Sequence, residues 1–204
     1  AALQASAEYE VVALLTSVTR EYDRISIHGV RRTLLEAQAR ALRLPLFEIG
    51  LQPQSSNAAY EAAFAEGVAA LQRAFPRVRH MAFGDLFLTD VRDYRERQIA
   101  GLGMEGLFPL WAQDTTVLAR QFVEEGYEAH LVCVDTTQLD ASFCGRPYDA
   151  ALLADLPASV DPCGEQGEFH TFVSAAPIFD ARVPVSIGEV VLRDGRFAYC
   201  DLLS

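Results

Sequence analysis

Apolar and polar residues alternate along the first two thirds of the chain with two different periods. The run YEVVALLTSV at Tyr9–Val18 is almost continuous in apolar and β-branched residues, which is typical of a strand buried on both faces. The run GVRRTLLEAQARALRL at Gly29–Leu44 instead repeats apolar residues at helical spacing, and Pro45 ends it. The run LPLFEIGL returns to the strand pattern, so the chain opens as strand, helix, strand.

The same alternation continues to about residue 135. Three more helices are predicted: one over Asn57–Phe75 with Asn57 as its cap, one capped by Asp90 and ended by Gly101 and Gly103, and one in QDTTVLARQFVEEG. Three more strands are predicted in RHMAFGDLF, EGLFPLW and YEAHLVCVD. Such regular alternation indicates right-handed βαβ units. We therefore predict an α/β fold with a doubly wound, mostly parallel sheet.

A change of pattern near Asp135 marks a second part of the chain. Helical periodicity weakens there and short strand-like runs appear, with Arg193–Arg196 between two of them as a hairpin turn. These features predict a smaller mixed, mostly β domain at the C-terminus. We place the α/β domain at residues 1–126 and the smaller domain at residues 127–204.

Charge and composition narrow the function. The 204 residues are 50% hydrophobic and carry a formal net charge of −11, which repels phosphate backbones and argues against a nucleic-acid partner. No apolar run has the length of a membrane span, so we predict a soluble, cytoplasmic protein with no membrane partner. All 17 basic residues are arginine, as is typical of a GC-rich bacterial genome. A bound phosphate must then be held by arginine, by backbone N–H groups or by a helix N-terminus.

The four cysteines give no sign of a metal site. Cys133, Cys144, Cys163 and Cys200 form no CxxC pair and fit no zinc spacing, so we interpret them as reduced cytosolic thiols. Cys163 has two interpretations, a nucleophile or a packing residue. Packing is favoured because no base partner is visible for it.

Ligands of a doubly wound sheet bind beyond the carboxyl ends of its strands. Polar candidates at those ends are Thr16 and Ser17 in the first strand and Gly84 and Asp85 after the third. Asp85 is a candidate contact to Mg²⁺ or to a nucleotide, with capping of the next turn as the alternative. His28–Gly29 precedes a helix and offers backbone N–H groups to a ligand, with a plain helix start as the alternative.

The densest chemistry lies in DPCGEQGEFHTF at Asp161–Phe172. This stretch combines three carboxylates, two glycines, a cysteine and a histidine, which is more than a turn requires. It is either a site or a loop that enters a strand and carries solvated carboxylates. His170 alternates with apolar neighbours, so a structural role and a catalytic role stay equally open.

Four stretches follow one another along the chain: YEVVALLTSVTREYDRISIHGVRRTLLEAQARALRLPL, FGDLFLTDVRDYRERQ, GLFPLW and DPCGEQGEFHTF. In this order and at these separations they resemble the diphthine–ammonia ligase family. That family is a branch of the PP-loop ATP pyrophosphatases within the adenine nucleotide alpha-hydrolase superfamily. The resemblance covers nearly the whole chain, and its last motif is the specific one. It implies a phosphate loop of the Ser-Gly-Gly-Lys-Asp-Ser type just before Ala1.

The resemblance implies an ATP-dependent amidation. A carboxylate would attack the α-phosphate of ATP, pyrophosphate would leave, and ammonia would displace AMP from the acyl-adenylate. The implied cofactors are ATP and Mg²⁺. The implied partners are ammonia and a carboxylate acceptor, either a small molecule or a modified residue.

The resemblance also implies roles for individual residues. The catalytic candidates are Glu165, Glu168 and His170, and the substrate-binding candidates are Gly164, Gly167, Phe169 and Thr171. The nucleotide-binding candidates are Thr16, Ser17, His28, Gly29, Gly84 and Asp85, with Asp85 also the candidate metal ligand. The two loop glycines would let the backbone approach a ligand closely. The acidic residues beside Phe169 and Phe172 would suit a quaternary ammonium group of the kind that diphthine carries.

Two classes of function stay open at this point. One is the amide-forming ligase, and the other is an adenine-nucleotide-binding module without ligase activity, as occurs elsewhere in the superfamily. A tRNA-modifying PP-loop enzyme is disfavoured, because the net charge is −11 and no basic stripe is present. The acceptor is not named by the sequence, and the apolar C-terminal hairpin leaves a homo-oligomer open.

Overall fold

A computed structural model describes residues 1–204 and divides them into two compact units. The first unit comprises Ala1–Tyr22 and Leu44–Gln113, and the second comprises Asp23–Arg43 and Asp114–Ser204. The second unit therefore includes one short segment from the N-terminal half of the chain. The predicted boundary after residue 126 lies inside this unit, and it stays a prediction about independently folding domains.

From α2 to β6 helices and strands alternate along the chain, and one short helix and three strands follow β6. In chain order the elements are α1 (Ala2–Ala5), β1 (Leu14–Thr19), β2 (Arg24–Ile25), α2 (Arg32–Ala41), β3 (Leu46–Leu51), α3 (Asn57–Ala74), β4 (His80–Ala82), α4 (Thr89–Ala100), β5 (Glu105–Leu107), α5 (Thr115–Glu124), β6 (Glu128–Asp135), α6 (Ala150–Asp155), β7 (Phe169–Ala175), β8 (Ser186–Arg193) and β9 (Phe197–Leu203). No helix here combines the length and the apolar composition that a membrane span would require.

The first unit contains two parallel strand pairs. β1 runs parallel to β3, and β4 runs parallel to β5. Helix α3 is capped by the hydroxyl of Ser56, which accepts from Ala59 N at 3.2 Å, so the prediction of Asn57 as the cap is wrong by one residue. The prediction of Asp90 as the cap of α4 is also wrong, because that helix begins after Leu88 without a side-chain cap. Carboxyl and hydroxyl groups near a helix start compete for one capping position, and backbone geometry selects between them.

The second unit is built on an antiparallel sheet with the strand order β7-β6-β9-β8. The mostly β C-terminal part is thereby confirmed, and the chain as a whole is mixed α/β. The prediction that β6 is the fifth strand of a parallel sheet is wrong, and a single doubly wound sheet is not confirmed. The reason lies in the burial of β6, whose residues Leu131–Asp135 are all buried. A continuous apolar run reports burial on both faces, which a central antiparallel strand shares with a parallel one.

The predicted hairpin turn is confirmed between β8 and β9, with Asp194 and Gly195 at its tip. Arg196, just after the turn, donates to both carboxylate oxygens of Asp135 at 3.0 and 2.5 Å. Asp135 is 1% exposed, and this arginine is the main cause that lowers the pKa of its carboxyl group. The ion pair fastens the hairpin to the end of β6.

The segment Asp23–Arg43 belongs to the second unit through both polar and apolar contacts. Asp201 on β9 accepts from Arg24 at 2.9 Å and from Arg31 at 2.9 and 2.5 Å. These arginines, Arg31 first, lower the pKa of the Asp201 carboxyl group to about 2. Leu34 on α2 is fully buried in the hydrophobic core of the second unit. The segment is therefore part of the support of the C-terminal sheet.

This packing predicts that Leu34→Ala destabilises the protein strongly. The substitution leaves a cavity at a site with 0% exposure, so we expect a loss of about 2–5 kcal/mol in the free energy of unfolding, measured by urea denaturation. The matched control is Leu192→Ala on β8, where the side chain is 56% exposed and the change should stay within about 0.5 kcal/mol. Equal losses in the two variants would show that α2 is not part of this core.

Candidate functional site

The stretch that joins α6 to β7 buries the carboxylate of one of its own residues, Glu168. Glu168 is 1% exposed, and its two oxygens accept from the backbone N–H groups of Asp161 at 2.8 Å and Gln166 at 2.9 Å. The alternative of a solvated carboxylate is therefore wrong at Glu168, and its catalytic role stays a prediction. Charge-assisted hydrogen bonds of this kind offset the cost of taking a carboxylate out of water.

A second carboxylate in the same loop repeats the arrangement. Asp161 is 8% exposed, and its side-chain oxygens accept from Cys163 N at 3.1 Å and Glu165 N at 3.3 Å. The two glycines also donate inside the loop, Gly164 N to the carbonyl of Asp161 at 2.9 Å and Gly167 N to the carbonyl of Gly164 at 3.0 Å. The loop residues 161–168 thus form a closed hydrogen-bonded unit.

Three contacts attach this loop to the rest of its unit. The hydroxyl of Tyr148 donates to the carbonyl of Pro162 at 2.6 Å, and Asp135 N donates to the carbonyl of Glu168 at 2.9 Å. The thiol of Cys163 lies 3.3 Å from the carbonyl of Thr115 as its donor. Burial, followed by the nearby carboxylates, raises the pKa of this thiol to about 12. A thiol that stays protonated at neutral pH fits the packing interpretation of Cys163.

The aromatic residues after the loop lie in the core. Phe169 is 3% exposed and Phe172 is 2% exposed, and both belong to the main hydrophobic cluster. Phe169 therefore packs in the core, and its role in binding a substrate stays a prediction. Gly164 has φ +69°, and a Cβ there would lie 2.7 Å from the carbonyl oxygen of Phe169. The chain therefore needs this glycine for its own packing.

Two histidines from distant parts of the sequence meet beside the loop. The rings of His28 and His170 lie with their centroids 4.5 Å apart and their planes tilted by 42°. Burial, followed by the charge of His28, lowers the pKa of His170 to about 4. Burial also lowers the pKa of His28, against a hydrogen bond to Ser26 that raises it. Both imidazoles are therefore neutral at pH 7 and can each accept a proton or a hydrogen bond.

Tyr199 completes the surroundings of this histidine pair. His170 on β7 and Tyr199 on β9 are both register partners of Cys133 on β6, so the three side chains share one face of the sheet. Gly29, with φ +71°, lies so close to the Tyr199 ring that a Cβ would be 2.6 Å from its Cδ1 atom. No local pattern pointed to Tyr199, because the contact with Gly29 joins opposite ends of the chain.

The predicted nucleotide-binding residues are divided between the two units. Thr16 and Ser17 lie in β1, and Gly84 and Asp85 follow β4, all in the first unit. His28 and Gly29 lie in the second unit, together with the predicted catalytic residues. The structure thus brings His28–Gly29 to the DPCGEQGEFHTF stretch, and the role of each of these residues stays a prediction.

Asp85 is the residue predicted to bind a metal. It is buried, and its carboxylate pairs with Arg95 Nε at 2.8 and 3.0 Å, while the guanidinium of Arg95 lies 4.9 Å from the centroid of the Phe83 ring. No group of three His, Cys, Asp or Glu side chains in residues 1–204 is arranged to hold a metal ion. A single carboxylate that is already paired with an arginine does not fit a resident Mg²⁺ site.

Comparisons with known proteins agree with the loop motif. Residues 114–201 match the family model of the diphthamide synthase C-terminal domain. The chain is 28% identical to the diphthine–ammonia ligase of Schizosaccharomyces pombe over 200 residues, or 90% of its length. Over 187 residues, or 85% of the chain, it is 24% identical to the human protein of the same name.

The relatives are named as ligases, and the stretch that matches the diphthamide synthase C-terminal domain contains the loop at residues 161–168. These matches support the assignment of the chain to the diphthine–ammonia ligase family and confirm the resemblance found in the motifs. The chain spans 33% of the length of the fission-yeast relative and 70% of the human one.

The burial of His170 predicts a loss of stability in mild acid. Its folded pKa of about 4 lies below the ordinary value of 6.5, so protonation favours the unfolded chain as pH falls from about 7 towards 4. We expect a loss of about 2 kcal/mol by pH 5 from this group, absent in His170→Gln. Urea denaturation of both proteins at pH 7 and pH 5 measures the difference. Equal losses in the two proteins would show that His170 is readily protonated in the folded state.

Proposed function

We propose that the chain is part of an ATP-dependent, amide-forming ligase of the diphthine–ammonia ligase type. In this reaction a carboxylate acceptor is activated as an acyl-adenylate, pyrophosphate leaves, and ammonia attacks the acyl carbon. The observation that carries the proposal is the DPCGEQGEFHTF loop, which is ordered around its own carboxylates and placed beside His28 and His170. The family comparisons support a ligase, and the acceptor and ATP belong to the proposal.

The second unit offers a small set of groups for the amidation step. Glu165 is half-buried at the middle of the loop, and its N–H is held by Asp161. His170 is a neutral imidazole at the start of β7, next to Thr171. We assign Glu165 and His170 to the acceptor and the incoming ammonia, because a carboxylate and a neutral imidazole both accept N–H hydrogen bonds.

The backbone at Gly167 suits the approach of a ligand. A Cβ at this glycine would have no atom within 4 Å, in contrast to the crowded position of Gly164. A substrate can therefore come close to the backbone at this point of the loop. Among the predicted substrate-binding glycines, Gly167 is the one that the proposal retains for direct contact.

The nucleotide belongs to the proposal through the family reaction. Thr16 and Ser17 within β1, and Gly84 and Asp85 after the carboxyl end of β4, are the candidate contacts in the first unit. In such a reaction Mg²⁺ would neutralise the leaving pyrophosphate. Since residues 1–204 form no metal site of their own, we assign no step to a metal.

The products of nucleotide cleavage test the proposed function directly. Given ammonium, an acceptor and Mg-ATP, the protein should release AMP and pyrophosphate in equal amounts. Chromatography of the nucleotides together with a pyrophosphate assay measures both products. Release of ADP and phosphate would instead indicate another reaction, and binding of ATP without any cleavage would favour the nucleotide-binding module.

Glu165→Gln tests the proposed site. We expect amide formation to fall by about a hundredfold or more, since a group that orients the reactants contributes mainly in the transition state. ATP binding and the melting temperature should change little. The matched control is Glu124→Gln at the exposed end of α5, which should keep full turnover. Full turnover in Glu165→Gln would remove this residue from the reaction, and loss of ATP binding would move it to the nucleotide site.

A further inference from the structure

We infer that Asp161 and Glu168 are positioning residues, which fix the shape of the loop at residues 161–168 and turn the backbone N–H groups of Asp161, Cys163, Glu165 and Gln166 inward, away from any anionic ligand. Nothing in the comparisons assigns a role to Asp161, and Glu168 was expected to take part in the chemistry itself. The positioning role of Asp161 and Glu168 rests on the proposed function, because a positioning residue acts on reactants that the proposed function names. Its structural part is independent of any activity.

The carboxylates of Asp161 and Glu168 lie inside the loop that they belong to. Both are at least nine-tenths buried, and each side-chain oxygen accepts one backbone N–H of the same loop. A buried carboxylate without donors would be costly, so these four bonds hold loop and carboxylates together. Glu168, with both oxygens engaged inside the loop, is badly placed to contact a substrate.

Six backbone N–H groups of the loop have an acceptor inside the loop. The N–H groups of Asp161, Cys163, Glu165 and Gln166 go to the two carboxylates, as described above. The N–H groups of Gly164 and Gly167 go to loop carbonyls, and Pro162 has none. Loops that bind phosphate do so with N–H groups that point at the ligand. This glycine-containing loop therefore differs from a phosphate loop, because six of its backbone N–H groups point inward.

Both buried carboxylates hold the backbone around Glu165. Its own N–H is bonded to Asp161, while the next N–H in the chain, that of Gln166, is bonded to Glu168. The backbone on both sides of the Glu165 side chain is thus held by one of the two buried carboxylates. Contacts from Tyr148 and Asp135 fasten the same loop to the sheet at its two ends. The place of Glu165 depends on Asp161 and Glu168 for these reasons.

Amide hydrogen exchange in the whole chain, followed by NMR, tests the structural part. In Glu168→Gln the amides of Asp161 and Gln166 should exchange about tenfold faster or more, because the amide side chain replaces one acceptor oxygen by a donor. In Asp161→Asn the same should hold for Cys163 and Glu165. Amides of β6 should keep their rates in both variants, and the control Glu124→Gln should change none of them. Unchanged exchange in the loop of both variants would overturn the inference.

A second measurement uses the unmodified protein and does not depend on how the variants fold. Sodium pyrophosphate, added at millimolar concentration, should leave the amide resonances of the loop at residues 161–168 in place. A saturable shift of those resonances would show that the loop binds anions after all, and would overturn the inference. This outcome is separate from the products of ATP cleavage, which alone decide the proposed function.

The functional part is tested by kinetics in the variant that keeps most of the loop. For Glu168→Asp, which retains the charge on a shorter side chain, we expect kcat for amide formation to fall and the KM for the acceptor to rise, with the KM for ATP unchanged. Glu168→Gln should show the same split to a larger degree. A merely structural role would lower activity in proportion to the folded fraction and leave every KM unchanged, and that result would reject positioning.

Discussion

A carboxylate that leaves water must find hydrogen-bond donors, and this constraint shapes the region on which the proposed chemistry depends. Glu168 is among the largest fully buried side chains of the protein. Its donors come from the backbone of its own loop, so the loop closes around it. Asp161, earlier in the chain, likewise accepts backbone N–H groups of the same loop. Asp161 and Glu168 thus stabilise the closed shape of this loop, a role that a metal ion or a disulfide has in other small loops.

The loop is useful only because its surroundings are fixed as well. The segment Asp23–Arg43 supplies Leu34 to the core beneath the C-terminal sheet and His28 to the pair with His170. The ion pairs of Asp201 hold this segment to β9. The segment Asp23–Arg43 lies between β1 and β3 in the sequence but belongs to the C-terminal unit. The family model, which matches residues 114–201, does not include this segment.

The neutral histidine pair follows from the same burial. Two imidazoles whose centroids lie 4.5 Å apart would repel each other if both were charged, and the apolar surroundings disfavour even one charge. Burial lowers the pKa of both imidazoles, and the charge of His28 lowers that of His170 further. At neutral pH they offer nitrogen acceptors without adding charge to a region that already holds Asp161, Glu165 and Glu168.

The sequence by itself determined the elements with long, clear periodicity, such as α3 and α5, the turn between β8 and β9, and the motif that carries the family resemblance. It did not determine the partners of β6, because an apolar run records burial and not the direction of the neighbouring strand. It also could not tell Glu168 from Glu165, since two carboxylates in one loop look alike until the fold buries one of them. Only the tertiary structure decided that His28 meets His170 and that Gly29 lies on Tyr199. These contacts join residues far apart in the chain, and local pattern holds no record of them.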